Sequence, residues 1–315
     1  MSRYLVTGAA GFIGSSIASR LTGQGHEVWT IDNLSTGKKG NITPGVHFIE
    51  GDCQDQKCIE KLKGVQFDAI VHVAGQSSGE ISFEDPAYDL STNTESTLRL
   101  IQYALAHQCQ RFIYASSMSV YGDVPDEPIS ELFVPKPLSF YGVGKMASEH
   151  YMRIYQSKGL NPTALRFFNV YGPLQNMGNL RQGMVSIYLA QLLADEQVIV
   201  KGSKDRFRDF IYIDDLVDLT VAIINDQKSF GGVYNVATGK KITVEMLLEK
   251  LLSISGLNKK IVYTGSTPGD QKGIYADISL IQKQFGFRTK VELDHGLEKM
   301  IKWAKSQVTA SSHGR

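Results

Sequence analysis

The sequence predicts an α/β protein, with a doubly wound parallel sheet followed by a second, smaller lobe of mixed strands and helices. From the N-terminus to about residue 170, short apolar, β-branched runs alternate with helical segments. This alternation predicts parallel strands joined by crossover helices on both faces of one sheet. A glycine-rich turn directly behind the first apolar run, and an acidic residue at the end of the second, support the same fold class.

Six apolar runs are the candidate strands of the first sheet: Tyr4–Val6, Val28–Ile31, Val46–Glu50, Ala69–Val73, Phe112–Ala115 and Thr163–Arg166. Beyond Pro173 the pattern changes to helices near 183–193 and 243–252, with short strands around 198–200, 211–213 and 233–236. We therefore expect a first domain over residues 1–170, with segments near 209–226 returning to it. Residues 171–308 should form the second lobe, and residues 309–315 a disordered tail because they lack an apolar period.

Composition excludes several classes of partner. The chain has 315 residues and a formal net charge of +1, and its Lys and Arg residues are scattered. We therefore expect no nucleic-acid partner and no anionic membrane surface. Its three cysteines, Cys53, Cys58 and Cys109, lack metal-site spacing, which predicts reduced thiols and no structural metal. No charged leader or membrane-spanning apolar run is visible, so we expect a soluble, cytoplasmic protein without a membrane partner.

The glycine-rich turn Thr7–Gly14 lies between the first strand and a predicted helix over Ser15–Leu21. A side chain at Gly8 or Gly11 would keep a pyrophosphate from the free N–H groups at the helix start, and one at Gly14 would push helix from strand. The alternative is an ordinary strand, loop and helix with tolerated glycines. The combination of strand, glycines, helix and following acid favours a dinucleotide site.

Two acidic residues follow neighbouring strands. Asp32 ends the second strand, where a carboxylate would meet the ribose hydroxyls of an adenosine. This favours NAD, because the carboxylate would repel the additional phosphate of NADP. Asp52 follows the third strand and could be a loop acid or a helix cap. Its position after a strand favours a contact with adenine.

Tyr141 and Lys145 are four residues apart in a stretch of helical character, so they should share one helix face. A tyrosine with a pKa of about 10 is a poor base at neutral pH, but a neighbouring ammonium lowers that pKa. Ser117, in the turn after the fifth strand, can hydrogen-bond the same substrate oxygen. Tyr and Lys at this spacing are common on protein surfaces, and the dinucleotide fold together with the serine is what favours catalysis here.

Together these motifs resemble those of the extended short-chain dehydrogenase/reductase superfamily. They comprise the Thr-Gly-Xaa-Xaa-Gly-Xaa-Xaa-Gly turn, the serine turn, the Tyr141 and Lys145 pair and the later run Arg166–Pro173. Within the superfamily the chain is similar to the nucleotide-sugar epimerase/dehydratase family from its first strand to about Trp303. The resemblance implies a Rossmann fold, bound NAD and a nucleotide-diphosphate sugar as substrate.

The resemblance also implies roles for individual residues. The cofactor-binding residues would be Gly8, Gly11, Phe12, Ile13 and Gly14 at the pyrophosphate, Asp32, Asn33 and Ser35 at the ribose, Asp52 and Cys53 at the adenine, and Val73, Ala74, Gly75, Asn93, Tyr141, Lys145 and Phe168 along the rest. The substrate-binding residues would be Asn169 and Arg208 at the diphosphate, Val185 within the segment Gly183–Ile187 at the base, and Ser78 and Ser117 at the sugar. The alternative for Arg208 is an ordinary strand-edge arginine paired with Asp209.

The residues beside Ser117 indicate the reaction. Dehydratases of the family resemble one another in carrying Asp and Glu directly after the equivalent residue, whereas this chain has Met118 and Ser119. Neither can act as acid or base, so we expect hydride transfer without elimination. The resemblance implies 4-epimerisation, with Ser117, Tyr141 and Lys145 as the catalytic residues, through a transient keto-sugar and tightly bound NAD. The alternatives are a keto-sugar reductase that uses free NAD(P)H and a non-catalytic NAD-binding protein.

Two departures from the family pattern leave the nucleotide open. Many members have an Arg near the position of Gly269–Asp270, where this chain has Ser266–Pro268, so either the nucleotide differs from UDP or a cation such as Lys201 or Lys204 compensates. A glycine that usually follows the Asn93 position is Ser96. The resemblance further implies a homodimer, formed by the helix over 95–106 and the helix after Lys145. The alternative is that both helices only pack on the sheet.

Overall fold

The computed structural model of the chain describes residues 1–266 and 271–312, with side chains described up to residue 307. The strands are β1 (Arg3–Thr7), β2 (Glu27–Asp32), β3 (His47–Glu50), β4 (Ala69–His72), β5 (Arg111–Ser117), β6 (Asn161–Phe167), β7 (Asn169–Tyr171), β8 (Gln197–Lys201), β9 (Phe207–Arg208), β10 (Phe210–Tyr212), β11 (Val233–Val236), β12 (Ile242–Thr243) and β13 (Lys260–Thr264). The α-helices are α1 (Phe12–Gly23), α2 (Gln56–Glu60), α3 (Gly79–Glu84), α4 (Pro86–Leu90), α5 (Ser96–Ala106), α6 (Phe140–Tyr155), α7 (Met184–Ala194), α8 (Ile213–Ile223), α9 (Val244–Ser255), α10 (Ser279–Phe285) and α11 (Leu293–Ser312).

Within the described residues, seven parallel strands form the main sheet in the order β11-β6-β5-β4-β1-β2-β3. The predicted fold class is therefore confirmed. The chain first runs outward from β1 to β3 and then returns to β4 on the other side of β1. At such a switch point the crevice outside the carboxyl ends of the strands is open to a ligand.

Both faces of the main sheet are covered. Along β1, Leu5 packs into one hydrophobic cluster, whereas its neighbours Tyr4 and Val6 pack into the other. This alternation follows from the two-residue period of a strand. The sheet thus separates two apolar layers, and its backbone groups are satisfied by the parallel ladders on either side of each central strand.

The division between the two lobes differs from the predicted one. Residues 233–236 were expected in the second lobe, but β11 pairs in parallel with β6 and extends the main sheet. The expected return near 209–226 is made by α8, which packs beside α1 and whose Asp218 pairs with Arg20. β10, in contrast, pairs with β7 in the second lobe.

The second lobe is assembled from short strand pairs and helices. β8 pairs in parallel with β13, and β9 pairs antiparallel with β12. α9 begins at its cap Thr243, whose hydroxyl accepts from the N–H of Met246 at 3.1 Å, and it ends at Gly256 with a φ of 70°. The buried residues Leu247, Leu248 and Leu251 place one face of α9 in the core.

The C-terminal helix extends further than predicted. α11 continues to Ser312, so residues 309–312 are helical where a disordered tail was expected, and residues 313–315 lie outside the described part of the chain. Leu297, Met300 and Ile301 recur at helical spacing and are buried, which anchors the helix on the core. Among the described residues, no helix is both long enough and apolar enough to cross a membrane.

Candidate active site

A groove of about 370 Å³ lies at the switch point, outside the carboxyl ends of the strands. Many of its lining residues are those that the sequence predicts for the cofactor: Gly8, Gly11, Phe12, Ile13, Gly14, Asp32, Asn33, Ser35, Asp52, Cys53, Val73, Ala74 and Gly75. Residues from four different βα connections therefore meet along one channel. This arrangement fits an elongated dinucleotide whose adenosine end lies toward β2 and β3.

The glycine-rich turn fits a pyrophosphate. Gly8 has a φ of 75°, and a Cβ at this position would lie 2.9 Å from the backbone nitrogen of Ala74. A Cβ at Gly14 would collide with the carbonyl oxygen of Gly8. Gly11 is the N-cap residue of α1 and provides no side-chain cap, so the N–H groups of the first turn are open to an anion.

The end of the groove toward β2 and β3 is organised by two carboxylates. Asp32 Oδ2 accepts a hydrogen bond from the N–H of Ala10 at 2.9 Å, and Asp32 Oδ1 accepts from the N–H of Leu34 at 2.8 Å. Asn33 Nδ2 donates to Asp52 Oδ2 at 2.9 Å. Asp52 therefore lines the groove and also orders the loop after β2. Burial raises the pKa of the neighbouring Cys53 thiol, so this side chain stays protonated and apolar in character.

One wall of the groove comes from the second lobe and was not predicted. It is formed by residues 174–179, Gln182, Trp303 and Gln307. Asn176 Nδ2 donates to the carbonyl oxygen of Thr36 at 3.1 Å, which joins this wall to the loop after β2. Sequence patterns could not identify these residues, because they reach the groove from positions more than 100 residues away from the glycine turn.

The packing of α6 on the turn after β5 brings the three predicted catalytic residues together. Ser117 ends β5, and Tyr141 and Lys145 lie in the first turns of α6. A Cβ at Gly142 would lie 2.5 Å from the carbonyl oxygen of Ser119, so this glycine permits the close approach. Tyr141 is buried, and the Ser117 side chain lies close enough to lower the pKa of its hydroxyl.

The electrostatics of Tyr141 differ from the prediction. Burial raises the pKa of Tyr141 to about 12, and this effect outweighs the hydrogen bond from Ser117, which lowers it. Lys145 Nζ donates to the carbonyl oxygen of Ala115 at 2.9 Å and lies 5.6 Å from the centroid of the Tyr141 ring. Burial also lowers the pKa of Lys145 to about 8. The protein alone therefore does not make the phenol acidic, because desolvation disfavours both charged forms.

Asn93 lies just behind this trio rather than on the groove surface. It belongs to a π-helical turn over Ser91–Glu95, between α4 and α5. Its Nδ2 donates to the carbonyl oxygen of Gln76 at 2.9 Å and to Asp89 Oδ1 at 3.1 Å. Through this nitrogen, Asn93 belongs to a buried polar network that supports the β4 end of the site.

Three other predicted residues have mainly structural contacts. Phe168 is buried in a cluster with Tyr121, with ring centroids 6.5 Å apart, and does not line the groove. Ser78 caps α3, and its hydroxyl accepts from the N–H of Ile81 at 3.4 Å. Val185 is buried within α7 and packs in the large core cluster.

In the second lobe, Arg208 and Asn169 remain the candidates for binding a diphosphate. Arg208 is buried and donates to the carbonyl oxygens of Phe207 and Gln271 at 2.7 and 2.9 Å. Asp209 is turned away from it, since its carboxylate accepts from the N–H groups of Thr238 and Gly239, each at 2.8 Å. The alternative pairing of Arg208 with Asp209 is therefore wrong. Asn169 Oδ1 is buried and has no hydrogen-bond partner among the described residues.

The structure shows the contacts of the two lysines considered as compensating cations, and those of Ser96. Lys201 pairs with Glu80 and Lys204 with Glu245, each at 2.8 Å, so both expected compensating cations have acidic partners. Ser96 is buried, and its hydroxyl donates to the carbonyl oxygen of Thr92 at 2.6 Å, one turn back. The positions of Thr267–Asp270 lie outside the described residues.

Comparisons with known proteins agree with this arrangement. Residues 4–237 match the model of the NAD dependent epimerase/dehydratase family. The chain is similar to the UDP-glucose 4-epimerase of Mycolicibacterium smegmatis, with 30% identity over 97% of this chain and 99% of the relative. The crystal structure of a UDP-glucose 4-epimerase from Thermotoga maritima with UDP-glucose is similar, with 32% identity, a TM-score of 0.93 and coverage of 97% and 99%. The UDP-glucuronic acid 4-epimerase of Bacillus cereus, in complex with UDP-glucuronic acid and NAD, has 30% identity, a TM-score of 0.89 and coverage of 97% and 99%.

Proposed function

Because the chain belongs to the NAD-dependent epimerase/dehydratase family and is an NAD-dependent nucleotide-sugar epimerase, we propose that it inverts C4 of a UDP-hexose. The predicted family resemblance and the predicted cofactor are thereby confirmed, and the substrate and the carbon are the proposal. UDP is favoured because both the similar curated relative and the similar solved structures carry UDP-sugars in their names.

The observation that carries the proposal is the set of groups around the Tyr141 hydroxyl. The Ser117 side chain lies close enough to Tyr141 to lower its pKa, and Ser117 Oγ donates to Ser119 Oγ at 3.2 Å. Met118, in the other neighbouring position, packs against the apolar cluster of Phe168. No carboxylate follows Ser117 at these two positions, so the site has a base for a hydroxyl proton but lacks the acid and base pair that elimination needs.

In this mechanism Tyr141 removes the proton from the C4 hydroxyl of the sugar, with Ser117 hydrogen-bonded to the same oxygen. When bound, NAD supplies the hydride acceptor and donor, together with a positive charge that favours the phenolate. Tyr141 then returns its proton to the oxygen after the resulting ketone has presented its opposite face. Lys145 keeps its Nζ beside the ring, because this nitrogen donates to the Ala115 carbonyl.

The second lobe would hold the nucleotide half of the substrate. The guanidinium of Arg208 offers charge and several donors in a fixed plane, which suits a phosphate. Asn169, at the start of β7, would bind the diphosphate through its side-chain amide N–H groups, because a phosphate oxygen accepts hydrogen bonds and needs a donor. Binding the diphosphate outside the reacting ring would allow the keto-sugar to turn without leaving the enzyme.

The test is to incubate the protein separately with UDP-glucose, UDP-galactose and UDP-glucuronate, with and without added NADH, and to resolve the products by NMR. We expect UDP-glucose and UDP-galactose to interconvert with no net consumption of NADH. Tyr141→Phe protein serves as the control for contaminating activity. A product formed only while NADH is consumed would overturn the proposal in favour of a keto-sugar reductase, and release of CO₂ from UDP-glucuronate would assign a decarboxylase.

A further inference from the structure

A buried acid that the proposed mechanism does not use lies next to the catalytic residues. Asp89, the fourth residue of α4, is only 1% exposed. Its Oδ1 accepts from Gln76 Nε2 at 2.7 Å and from Asn93 Nδ2 at 3.1 Å. Its Oδ2 is also buried but has no hydrogen-bond partner within residues 1–266 and 271–312. An ionised carboxylate in such a position requires a compensating positive charge.

Burial raises the pKa of Asp89 and the charge of Lys145 opposes that rise, so Lys145 is the candidate for the compensating charge. The unpartnered Oδ2 lies beside Gly144, where a Cβ would be 3.5 Å from it, and Lys145 is the next residue of α6. Asn93 lies beside the acid and beside Gly75. Its Oδ1 abuts Gly75, and a Cβ on Gly75 would lie 3.8 Å from Lys145 Nζ. Gly144 thus leaves room for the acid, and Gly75 leaves room for the amide oxygen and the ammonium.

The other acid near Lys145 is already neutralised. Glu149, one turn further along α6, accepts from Arg166 Nε at 3.0 Å and from Arg166 Nη2 at 2.7 Å. It also accepts from the hydroxyl of Ser116. The Glu149 charge is therefore matched by Arg166, whereas Asp89 forms no ion pair in the described part of the chain.

We propose that Asp89 is a positioning residue that acts as the counter-charge of Lys145 and keeps its side chain an ammonium beside Tyr141. Asn93 belongs to the same buried group: its Nδ2 donates to the acid, and its buried Oδ1 has no hydrogen-bond partner among the described residues. This inference rests on the proposed function, because it concerns the proton balance of the same site. It explains why a buried lysine whose one hydrogen bond within the described residues goes to the Ala115 carbonyl remains useful as a cation.

The titratable groups that face Tyr141 and Lys145 determine in which direction Asp89 shifts the two pKa values. They are Asp89 from α4, Glu149 from α6, Tyr114 from β5 and the neutral His72 from β4. The Asp89 carboxylate raises the pKa of Lys145 and also raises the pKa of Tyr141. Removing its charge therefore lowers both, so Tyr141 ionises more easily while Lys145 loses its proton earlier.

The test compares Asp89→Asn with Glu60→Gln, an exposed substitution on α2 that makes the same change in net charge. Ionisation of Tyr141 is read as tyrosinate absorbance at about 295 nm in NAD-loaded protein, as the difference between each protein and its Tyr141→Phe counterpart. Rapid pH-jump mixing records the signal before alkaline unfolding. We expect Asp89→Asn to lower the midpoint by about half a unit to one unit, and Glu60→Gln to leave it unchanged.

The pH profile of kcat gives a second readout. Both limbs of the profile should move to lower pH in Asp89→Asn, whereas a purely structural role would lower the plateau without moving the limbs. Gln76→Met keeps the carboxylate but removes one of its donors, so it should reduce stability and leave the midpoint in place. Asp89→Ser is the second neutral variant, in case Asp89→Asn folds poorly.

The two proposals fail differently. If wild-type protein does not interconvert UDP-sugars, the proposed function is overturned, while the absorbance titration still measures the influence of Asp89. If interconversion occurs and the midpoints of Asp89→Asn and wild type coincide, the Asp89 proposal is overturned by itself. A midpoint that moves in Gln76→Met as far as in Asp89→Asn would also overturn it, because the geometry of the network would then matter and not the charge.

Discussion

The carboxylate of Asp32 accepts a hydrogen bond from the backbone N–H of Ala10 at 2.9 Å, so the residue that ends β2 also fixes the glycine-rich turn. The acid that would contact the ribose is therefore hydrogen-bonded directly to the turn that would contact the pyrophosphate. A substitution at Asp32 should change both the choice of cofactor and the shape of the turn.

Asp32→Asn should weaken NAD binding and narrow the preference for NAD over NADP, because the charge that repels the additional phosphate is gone. Loss of one charged hydrogen bond corresponds to about a tenfold or larger rise in the Kd of NAD. Calorimetric titration of cofactor-depleted protein with each dinucleotide would measure both effects. Glu50→Gln, at the end of β3, is the matched control. An unchanged ratio of the two Kd values would contradict the assignment of Asp32.

Tyr141→Phe should reduce kcat by about a hundredfold or more, since general acid–base catalysis by one side chain contributes at least that much. NAD content should stay at the wild-type level, because the substitution removes only a hydroxyl whose partner is Ser117. Activity assays and the cofactor absorbance of the purified variant would measure the two quantities. Retained turnover would remove Tyr141 from its proposed role.

Stability should depend on His72 in acid. Thr7 Oγ1 accepts from the N–H groups of Val73 and Ala74 and lies 2.8 Å from His72 Nδ1, so the hydroxyl donates to a neutral ring. Burial lowers the pKa of His72 to about 3. The unfolded histidine takes up a proton below its pKa of about 6.5 and the native one does not, so the free energy of unfolding rises with pH between these values.

For this single group the expected loss is about 2 kcal/mol at pH 5 relative to pH 7. Urea unfolding at the two pH values would measure it. His72→Gln should be less stable at pH 7 but should show a smaller difference between pH 5 and pH 7. An equal difference in both proteins would show that other groups cause the acid sensitivity.

Asn176→Ala should speed the release of NAD, because the hydrogen bond from Asn176 to Thr36 joins the two walls of the groove. An exposed neutral hydrogen bond contributes about 1 kcal/mol at most, so we expect an increase of about two- to fivefold in the dissociation rate. Exchange of bound NAD for isotopically labelled NAD would measure the rate. Asn258→Ala is the control, because Asn258 is exposed and lies outside the groove. Equal rates in the two variants would argue against a bridging role.

The predicted homodimer remains a proposal, and α6 supplies a test. Ile154 on α6 is 54% exposed, whereas Ile101 on α5 is buried in the core of the monomer. We expect wild-type protein to sediment as a dimer and Ile154→Lys as a monomer, because a charge in an apolar interface is unfavourable. Leu280→Lys, on α10, should stay dimeric. A monomeric wild type would show that these helices serve only the sheet.

The parts of the site that could be predicted are those encoded locally. The turn from Gly8 to Gly14 and the pair of Tyr141 and Lys145 depend on spacing within one element, and strand alternation fixes the edge at which they meet. The wall around Asn176 and Trp303 could not be predicted, because it is brought to the groove by the packing of the second lobe. The pKa of Tyr141 was predicted in the wrong direction for the protein alone, since burial depends on the whole fold.

The boundaries between lobes were also beyond local patterns. An apolar run such as Val233–Val236 looks the same whether it joins a large sheet or a small one. Its pairing with β6 is what places this run in the main sheet. The network of Asp89, Gln76 and Asn93 is a similar case, because its members come from a loop, a short helix and a π-helical turn that meet only in the folded chain.

The π-helical turn over Ser91–Glu95 changes the rotation of α5 about its axis relative to α4. A regular α-helix rotates by about 100° per residue, so the wider turn changes the direction in which every later side chain of α5 points. Deleting one residue there would rewind α5 and swing its apolar stripe away from the sheet. Insertions and deletions in this short segment should therefore be far more harmful than substitutions, although the segment carries no catalytic group of its own.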